Sequence, residues 1–217
     1  MDDILLICSS TICCAVFMLL IPLYVLHKKM KTTTRREKSD PASLMVVVGS
    51  GGHTREILVL MKSLGSHYTP RHYVVASTDP ISLQKVYAHE KTIHGVDEKQ
   101  YKVHTVPRSR EVRQSWISTT FTTIHAFLLS LPLVFKIKPE VILCNGPGTC
   151  IPICFAGLLM KWLWIQDTKI VYVESICRVE TLSMSAKLLY NFADSLLVQW
   201  PELTLKYPKC QYIGRLV

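Results

Sequence analysis

The 217-residue sequence lacks the commonest ligand signatures. There is no C-x-x-C pair, which removes a structural zinc site of ordinary spacing. There is no G-x-x-x-x-G-K-[ST], which excludes an ATP-type P-loop. No D-x-D-like ligand pair is present, and neither a metal site nor a bound cofactor is expected. N-x-[ST] sequons are missing too. The formal net charge is +9, but no RNP-like aromatic pattern or basic helix accompanies it, so nucleic acid is set aside as a partner.

Charge itself is missing from one long stretch. Ile4 to Leu26, ILLICSSTICCAVFMLLIPLYVL, runs 23 residues without a charged side chain. A helix of about 20 apolar residues spans a bilayer. A cleaved signal peptide would need a basic n-region, a shorter core and a small-residue cleavage site. Here the run starts after Met-Asp-Asp, is longer and has no such site. It reads as a retained anchor. Behind it, HKKMKTTTRREK holds six Lys/Arg and one Glu, against two Asp before the span. Positive flanks stay cytosolic. The expected organisation is a lumenal N-terminus (1–3), a transmembrane anchor (4–26), a basic cytosolic linker (27–42) and a cytosolic domain (43–217). The basic stretch also suits anionic lipid headgroups.

Of the eight cysteines, Cys8, Cys13 and Cys14 fall in the anchor. Cys144, Cys150, Cys154, Cys177 and Cys210 lie among apolar residues and are expected to be reduced thiols packed as small hydrophobes.

Beyond the linker, short apolar runs alternate with helical patterns. Strands are expected at Leu44–Val48, HYVVAS from His72, YKVHTV from Tyr101, EVILCN from Glu140, KIVYVES from Lys169 and SLLVQW from Ser195. Helices are expected at Thr54–Leu64, Pro80–His89, Ser115–Ile137, Ile151–Ile165 and Leu182–Phe192. Near-continuously apolar strands require a sheet buried on both faces. The alternation is that of an α/β, doubly wound, Rossmann-like parallel sheet. YKVHTV alternates, as an edge strand does. The greasy Ser115–Ile137 segment reads as a domain helix. A sharper reading lays its outer face, with Trp116 and Phe121, in the membrane interface.

Ligands of open α/β sheets bind beyond the carboxyl ends of the strands. Three such ends stand out: Gly49-Ser50-Gly51-Gly52-His53-Thr54, Asn145-Gly146-Pro147-Gly148-Thr149, and Glu174-Ser175. A glycine turn opening a helix aims backbone N–H groups and the helix dipole at an anion. The imidazole of His53 is a candidate acid/base group or phosphate partner. Glu174 is a second catalytic candidate, with a helix-capping role as its alternative. The first loop departs from G-x-G-x-x-G at Thr54. Asp79 after the second strand and the Tyr87-x-x-x-Lys91 spacing keep a membrane-bound NAD(P)-dependent oxidoreductase as the alternative function.

Together, GSGGHT, KPEVILCNGPGTCIPICFAG, KIVYVESICRVETLS and ADSLLVQWPE resemble the Alg-fourteen family (asparagine-linked glycosylation protein fourteen) across essentially the whole chain, anchor included. The loops are also similar to the N-terminal half of the bacterial MurG transferases. The resemblance implies the acceptor-side half of a GT-B glycosyltransferase. Some 175 residues after the linker suffice for one Rossmann-like domain.

The implied reaction is transfer of GlcNAc from UDP-GlcNAc to GlcNAc-diphosphodolichol on the cytosolic face of the endoplasmic reticulum membrane. The soluble Alg-thirteen partner would bind UDP-GlcNAc and carry catalysis, leaving this chain inactive alone. The acceptor diphosphate would be held by Gly49, Ser50, Gly51, Gly52, Thr54, Asn145, Gly146, Gly148 and Thr149. Glu174 matches the Glu of the MurG-like HEQN stretch, where this chain reads VESI. The apolar end, Ile213, Gly214, Arg215, Leu216 and Val217, is expected to dock the partner rather than fray.

Overall fold

The computed structural model describes residues 40–94, 100–110, 114–146 and 148–216. The anchor at 4–26 and nearly all of the linker lie outside them, as do Pro147 and Val217. In chain order the elements are β1 (Leu44–Val48), α1 (Gly52–Ser63), β2 (Arg71–Ala76), α2 (Pro80–His94), β3 (Tyr101–Val106), α3 (Trp116–Ile137), β4 (Val141–Asn145), α4 (Cys150–Trp162), β5 (Lys169–Val173), α5 (Met184–Leu189), β6 (Ser195–Val198), α6 (Glu202–Lys206) and β7 (Cys210–Tyr212).

The seven strands form one sheet in the order β3-β2-β1-β4-β5-β6-β7, every pair parallel. The order reverses between β1 and β4, which creates a switch-point crevice there. The five residues of β1, LMVVV, are all buried, because helices cover both faces. Met45, Val47, Ile142, Cys144, Ile170 and Tyr172 face one layer, packed with α4 and α5 side chains such as Ile153, Leu158 and Leu189. Leu44, Val46, Tyr73, Leu143 and Val173 face the other, against Ile57 and Met61 of α1 and Val86 of α2. β3 is an edge strand, as its alternation indicated.

Several boundaries differ from expectation. α2 extends five residues past His89, to His94. α5 is confined to Met184–Leu189 because Ser183 caps it, its Oγ accepting from the Ala186 N–H. Short α6 and three-residue β7 were not anticipated. Both are too short to show periodicity.

The cysteine expectation holds for Cys144, Cys150, Cys154 and Cys210, which are buried free thiols, but Cys177 is exposed. The Cys144 thiol is pushed up by its hydrogen-bonded neighbours Cys150 and Cys154 and by burial. It behaves as a small apolar group.

α3 is long and apolar enough to cross a membrane by length and composition. Its Ala126, Ser130 and Val134 are nonetheless buried in the domain. Ile117, Phe121, Ile124 and Leu128 form an exposed apolar stripe at helical spacing.

At the opposite end of the sheet from the crevice, Arg71, Glu90 and Tyr73 form a buried trio. Arg71 Nη1 lies 3.2 Å from Glu90 Oε1, and the Tyr73 hydroxyl donates to the same oxygen. Burial, reinforced by Glu90, pushes the Tyr73 phenol above its ordinary value.

Candidate functional site

The site is built from loops at the carboxyl ends of β1, β4, β5 and β6. Gly51 holds φ 66° and ψ −122°, a conformation open to glycine and hostile to a side chain. This turn aims α1 back across the sheet. The first turn of α1 has no side-chain cap and no acidic residue. Its leading N–H groups lack intrahelical partners by construction. A side chain placed at Gly51 or Gly52 would meet nothing within 4 Å, so the loop faces open space. α4 starts in the same way beside it, with no side-chain cap at Thr149 and no acid in its first turn. β1 and β4 are hydrogen-bonded neighbours, so two bare helix N-termini flank one crevice. Two positive dipole ends at one crevice are an arrangement that can hold an anion, although the Ile151 N–H of α4 already donates to the Gly148 carbonyl at 3.1 Å.

His53 sits between them. Its Nδ1 lies 3.0 Å from Asn145 Oδ1. A Cβ at Gly146 (φ +88°) would come within 2.2 Å of that ring. The glycine makes room for the imidazole. The Gly146 carbonyl is held in turn by the Tyr172 hydroxyl at 2.8 Å, and burial pushes that phenol far above its ordinary value.

The predicted site residues divide by where they face. Ser50, Gly51 and Gly52 are exposed on the loop, and His53 and Gly148 are half-buried beside it. Gly49, Thr54, Asn145, Gly146 and Thr149 are buried beneath. The Thr54 hydroxyl is spent internally, 2.5 Å from the Gly49 carbonyl oxygen and 2.7 Å from Ser82 Oγ. It shapes the loop rather than facing a ligand. The Asn145 side chain is likewise engaged, with Nδ2 donating to Glu56 Oε2 at 2.8 Å and to the Val173 carbonyl at 3.3 Å.

Glu174 requires a correction. Its side chain is fully buried, and its carboxylate accepts from the Ser175 N–H at 2.9 Å and the Ser183 N–H at 2.7 Å. It pins the loop between β5 and α5 and presents no oxygen to the crevice. A catalytic role in direct contact with substrate does not fit this position.

Sequence reasoning missed Glu56. It is buried on the inner face of α1 and accepts from Asn145 of β4, Ser175 after β5 and Gln199 after β6. The available signal was an acid one turn beyond His53, beside the apolar stripe of Ile57, Leu60 and Met61. Also missed was the loop after β3, Pro107-Arg108-Ser109-Arg110. The Cβ atoms of Ser109 and Arg110 each lie 3.9 Å from where a Gly148 side chain would begin. This brings basic residues to the rim of the second glycine loop.

The features that suggested a dinucleotide site are used otherwise. Asp79 caps α2, accepting from the Ser82 N–H at 3.0 Å and the Ser82 hydroxyl at 2.7 Å. Tyr87 packs edge-on to Tyr101 of the β3 edge strand, two strands away from β1 and the crevice.

The C-terminal segment is not frayed through Leu216. The Ile213 N–H donates to the Val198 carbonyl at 3.1 Å, Arg215 lies over the Trp200 ring at 4.2 Å, and the Leu216 N–H donates to Gln199 Oε1 at 2.9 Å. Tyr212 and Ile213 remain exposed at the sheet edge.

Residues 44–216 match the family described as "Oligosaccharide biosynthesis protein Alg14 like". The chain belongs to the Alg14 family. It is 55% identical over 175 residues to the human UDP-N-acetylglucosamine transferase subunit ALG14, covering 79% of this chain and 81% of that one. It is 45% identical over 172 residues to the subunit of the same name from Yarrowia lipolytica, covering 79% of each. Among solved structures, Acinetobacter baumannii MurG superposes with a TM-score of 0.53 at 14% identity. That match covers 75% of this chain and 43% of MurG, so this chain has the Rossmann-like fold over less than half of MurG's length. The Alg14 sheet and its crevice thus share the Rossmann-like α/β fold of that part of MurG.

Proposed function

We propose that this Alg14-family chain is the acceptor-binding, membrane-anchoring subunit of a heteromeric UDP-GlcNAc transferase. The acceptor is GlcNAc-diphosphodolichol, to which the second GlcNAc of an N-glycan precursor is added. The observation that carries the reading is the pair of uncapped helix N-termini, α1 and α4, facing one crevice with His53 between them. A lipid-borne diphosphate has the charge and length to engage both. The backbone N–H groups of Gly51, Gly52 and His53 hold one phosphate, and those of Gly148 and Thr149 the other. His53 contacts the diphosphate or takes the proton of the acceptor hydroxyl.

The sugar nucleotide belongs to the soluble Alg-thirteen subunit. The described residues form one Rossmann-like domain, and that domain matches 43% of MurG's length. The subunit docks against the β7 edge and the 213–217 segment, where Tyr212 and Ile213 are exposed. The anchor at 4–26 holds the domain on the cytosolic face of the endoplasmic reticulum membrane, with the N-terminus lumenal. The apolar stripe Ile117, Phe121, Ile124 and Leu128 of α3 rests in the membrane interface.

The test uses the full chain in detergent or proteoliposomes, with UDP-GlcNAc and a GlcNAc-diphospholipid, alone and with the partner. The chain alone is expected to bind the acceptor and turn nothing over, while the pair makes the chitobiosyl product. Turnover by the chain alone, or acceptor binding only by the partner, would overturn the assignment.

A further inference from the structure

Glu56 stands on none of the loops that hold substrate in this reading, yet its carboxylate accepts three hydrogen bonds beneath them. Oε2 accepts from Asn145 Nδ2 at 2.8 Å and Gln199 Nε2 at 3.2 Å, and Oε1 accepts from Ser175 Oγ at 2.9 Å. Partner identities settle how each group is oriented. The Asn145 nitrogen faces a carboxylate oxygen and the Val173 carbonyl, two groups that only accept. That fixes the amide: Nδ2 points down to Glu56 and Oδ1 points up to His53. The amide oxygen only accepts, so the ring nitrogen 3.0 Å from it must carry a proton. His53 is therefore held with its proton on Nδ1. In the neutral ring, Nε2 then keeps the lone pair.

Gln199 is fixed by the same logic. Its Nε2 donates to Glu56 and to the Glu174 carbonyl at 3.0 Å, and its Oε1 accepts from the Leu216 N–H. A continuous chain of hydrogen bonds thus runs Leu216–Gln199–Glu56–Asn145–His53, from the C-terminal segment to the crevice.

We infer that Glu56 is a positioning residue: through Asn145 it fixes the tautomer and orientation of His53, presenting Nε2 to the acceptor hydroxyl, and through Gln199 it ties that orientation to the seating of the C-terminal segment. The inference rests on the acceptor-site reading for what Nε2 does. The tautomer assignment stands on the geometry alone. At the transfer step, the acceptor O–H bond breaks as oxygen bonds to the anomeric carbon of the donor sugar. The proton passes to His53 Nε2, and the bond to UDP breaks with its electron pair leaving on the diphosphate. The imidazolium so formed keeps its Nδ1–H bond to Asn145.

Two measurements test this. The full chain in detergent, labelled with nitrogen-15 at histidine and assigned with His53→Gln, reports the tautomer by imidazole nitrogen shifts. Nδ1 is expected to be protonated and Nε2 bare, and Glu56→Ala, which leaves the Asn145 amide held only by the longer 3.3 Å bond to the Val173 carbonyl, is expected to give a mixture. A protonated Nε2 in the neutral ring of the unaltered chain would overturn the inference without any variant having to fold.

In the complex with its partner, Glu56→Ala is expected to lower kcat on the order of 10²-fold, the scale of a misplaced general base, with KM for UDP-GlcNAc unchanged. Glu56→Gln, which keeps an acceptor oxygen toward Asn145, is expected to recover most of that loss. A folded Glu56→Ala protein with unaltered tautomer and kcat would overturn the positioning role. Full activity in His53→Ala would instead remove the base role from the functional reading and leave the tautomer result to stand or fall separately.

Discussion

The imidazole of His53 occupies the space that a side chain on Gly146 would need: a Cβ there would lie 2.2 Å from Nδ1 and 2.4 Å from Cε1. The two glycine loops are therefore locked together by one histidine crossing between them. Gly146→Ala is expected to push His53 off Asn145 while also straining a φ of +88°. The strain costs about 1–3 kcal/mol. An ångström-scale displacement of a reacting group costs on the order of 10² in rate. Transferase assays of the reconstituted complex check this. Activity within twofold of wild type would mean that the ring's place is not needed.

Glu90 offers a stability prediction far from the crevice. It is fully buried against Arg71 and Tyr73, so Glu90→Ala leaves the guanidinium without its carboxylate partner. Breaking a buried pair from one side costs about 3–5 kcal/mol. Denaturant unfolding should show the midpoint falling, with acceptor binding preserved under conditions where the protein stays folded.

Acid should weaken the fold through His72. Burial, then the charges of His104 and Lys102, lower its pKa from 6.5 to about 4. The neighbouring His104, 3.2 Å away, is lowered as well, by burial and by Lys102 and Lys136. A lowered histidine is neutral when folded and charged when unfolded between the two values, so the unfolded state binds more protons there. Stability should be level above neutrality, fall as pH drops from 6.5 toward 4, and lose this slope below. His72→Gln should flatten part of the decline in unfolding titrations, with His104 accounting for a remainder of the same sign.

Removal of Ile213–Val217 is expected to abolish co-purification with the soluble partner. It also removes the Arg215 contact with Trp200 and the Leu216 bond to Gln199, so some loss of thermal stability should accompany it. Arg215→Ala separates the effects: an exposed cation–π contact is worth about 0.5–1 kcal/mol, and partner binding should weaken without vanishing. Unchanged co-purification of the truncated chain would move the docking surface elsewhere.

Much of this fold was legible because a doubly covered parallel sheet writes itself as short apolar runs. LMVVV and VILCN carry no polar interruption that would permit another reading, and YKVHTV announces an edge by alternating. The glycine loops were legible because their positions follow strand ends. The internal consumption of side chains was not. Thr54, Asp79 and Glu174 look like ligands in sequence, and only three-dimensional neighbours show that Ser82, Ser175 and Ser183 already occupy them. Glu56 was hidden for the converse reason. A polar residue beside an apolar helical stripe resembles surface until the partners that compensate its burial are in view, and these come from the carboxyl end of β4 and the segments after β5 and β6.

Those partners lie far along the chain: Asn145, Ser175 and Gln199 are 89, 119 and 143 positions beyond Glu56. During synthesis, the first glycine loop leaves the ribosome long before anything can orient His53. The network beneath the two glycine loops cannot assemble piecemeal, and contacts of such sequence separation are slow to form because loop-closure entropy must be met first. A nascent or prematurely terminated chain would carry its GSGGHT loop intact and yet have nothing to orient His53. Completion of the polypeptide is thereby built into the placement of that imidazole.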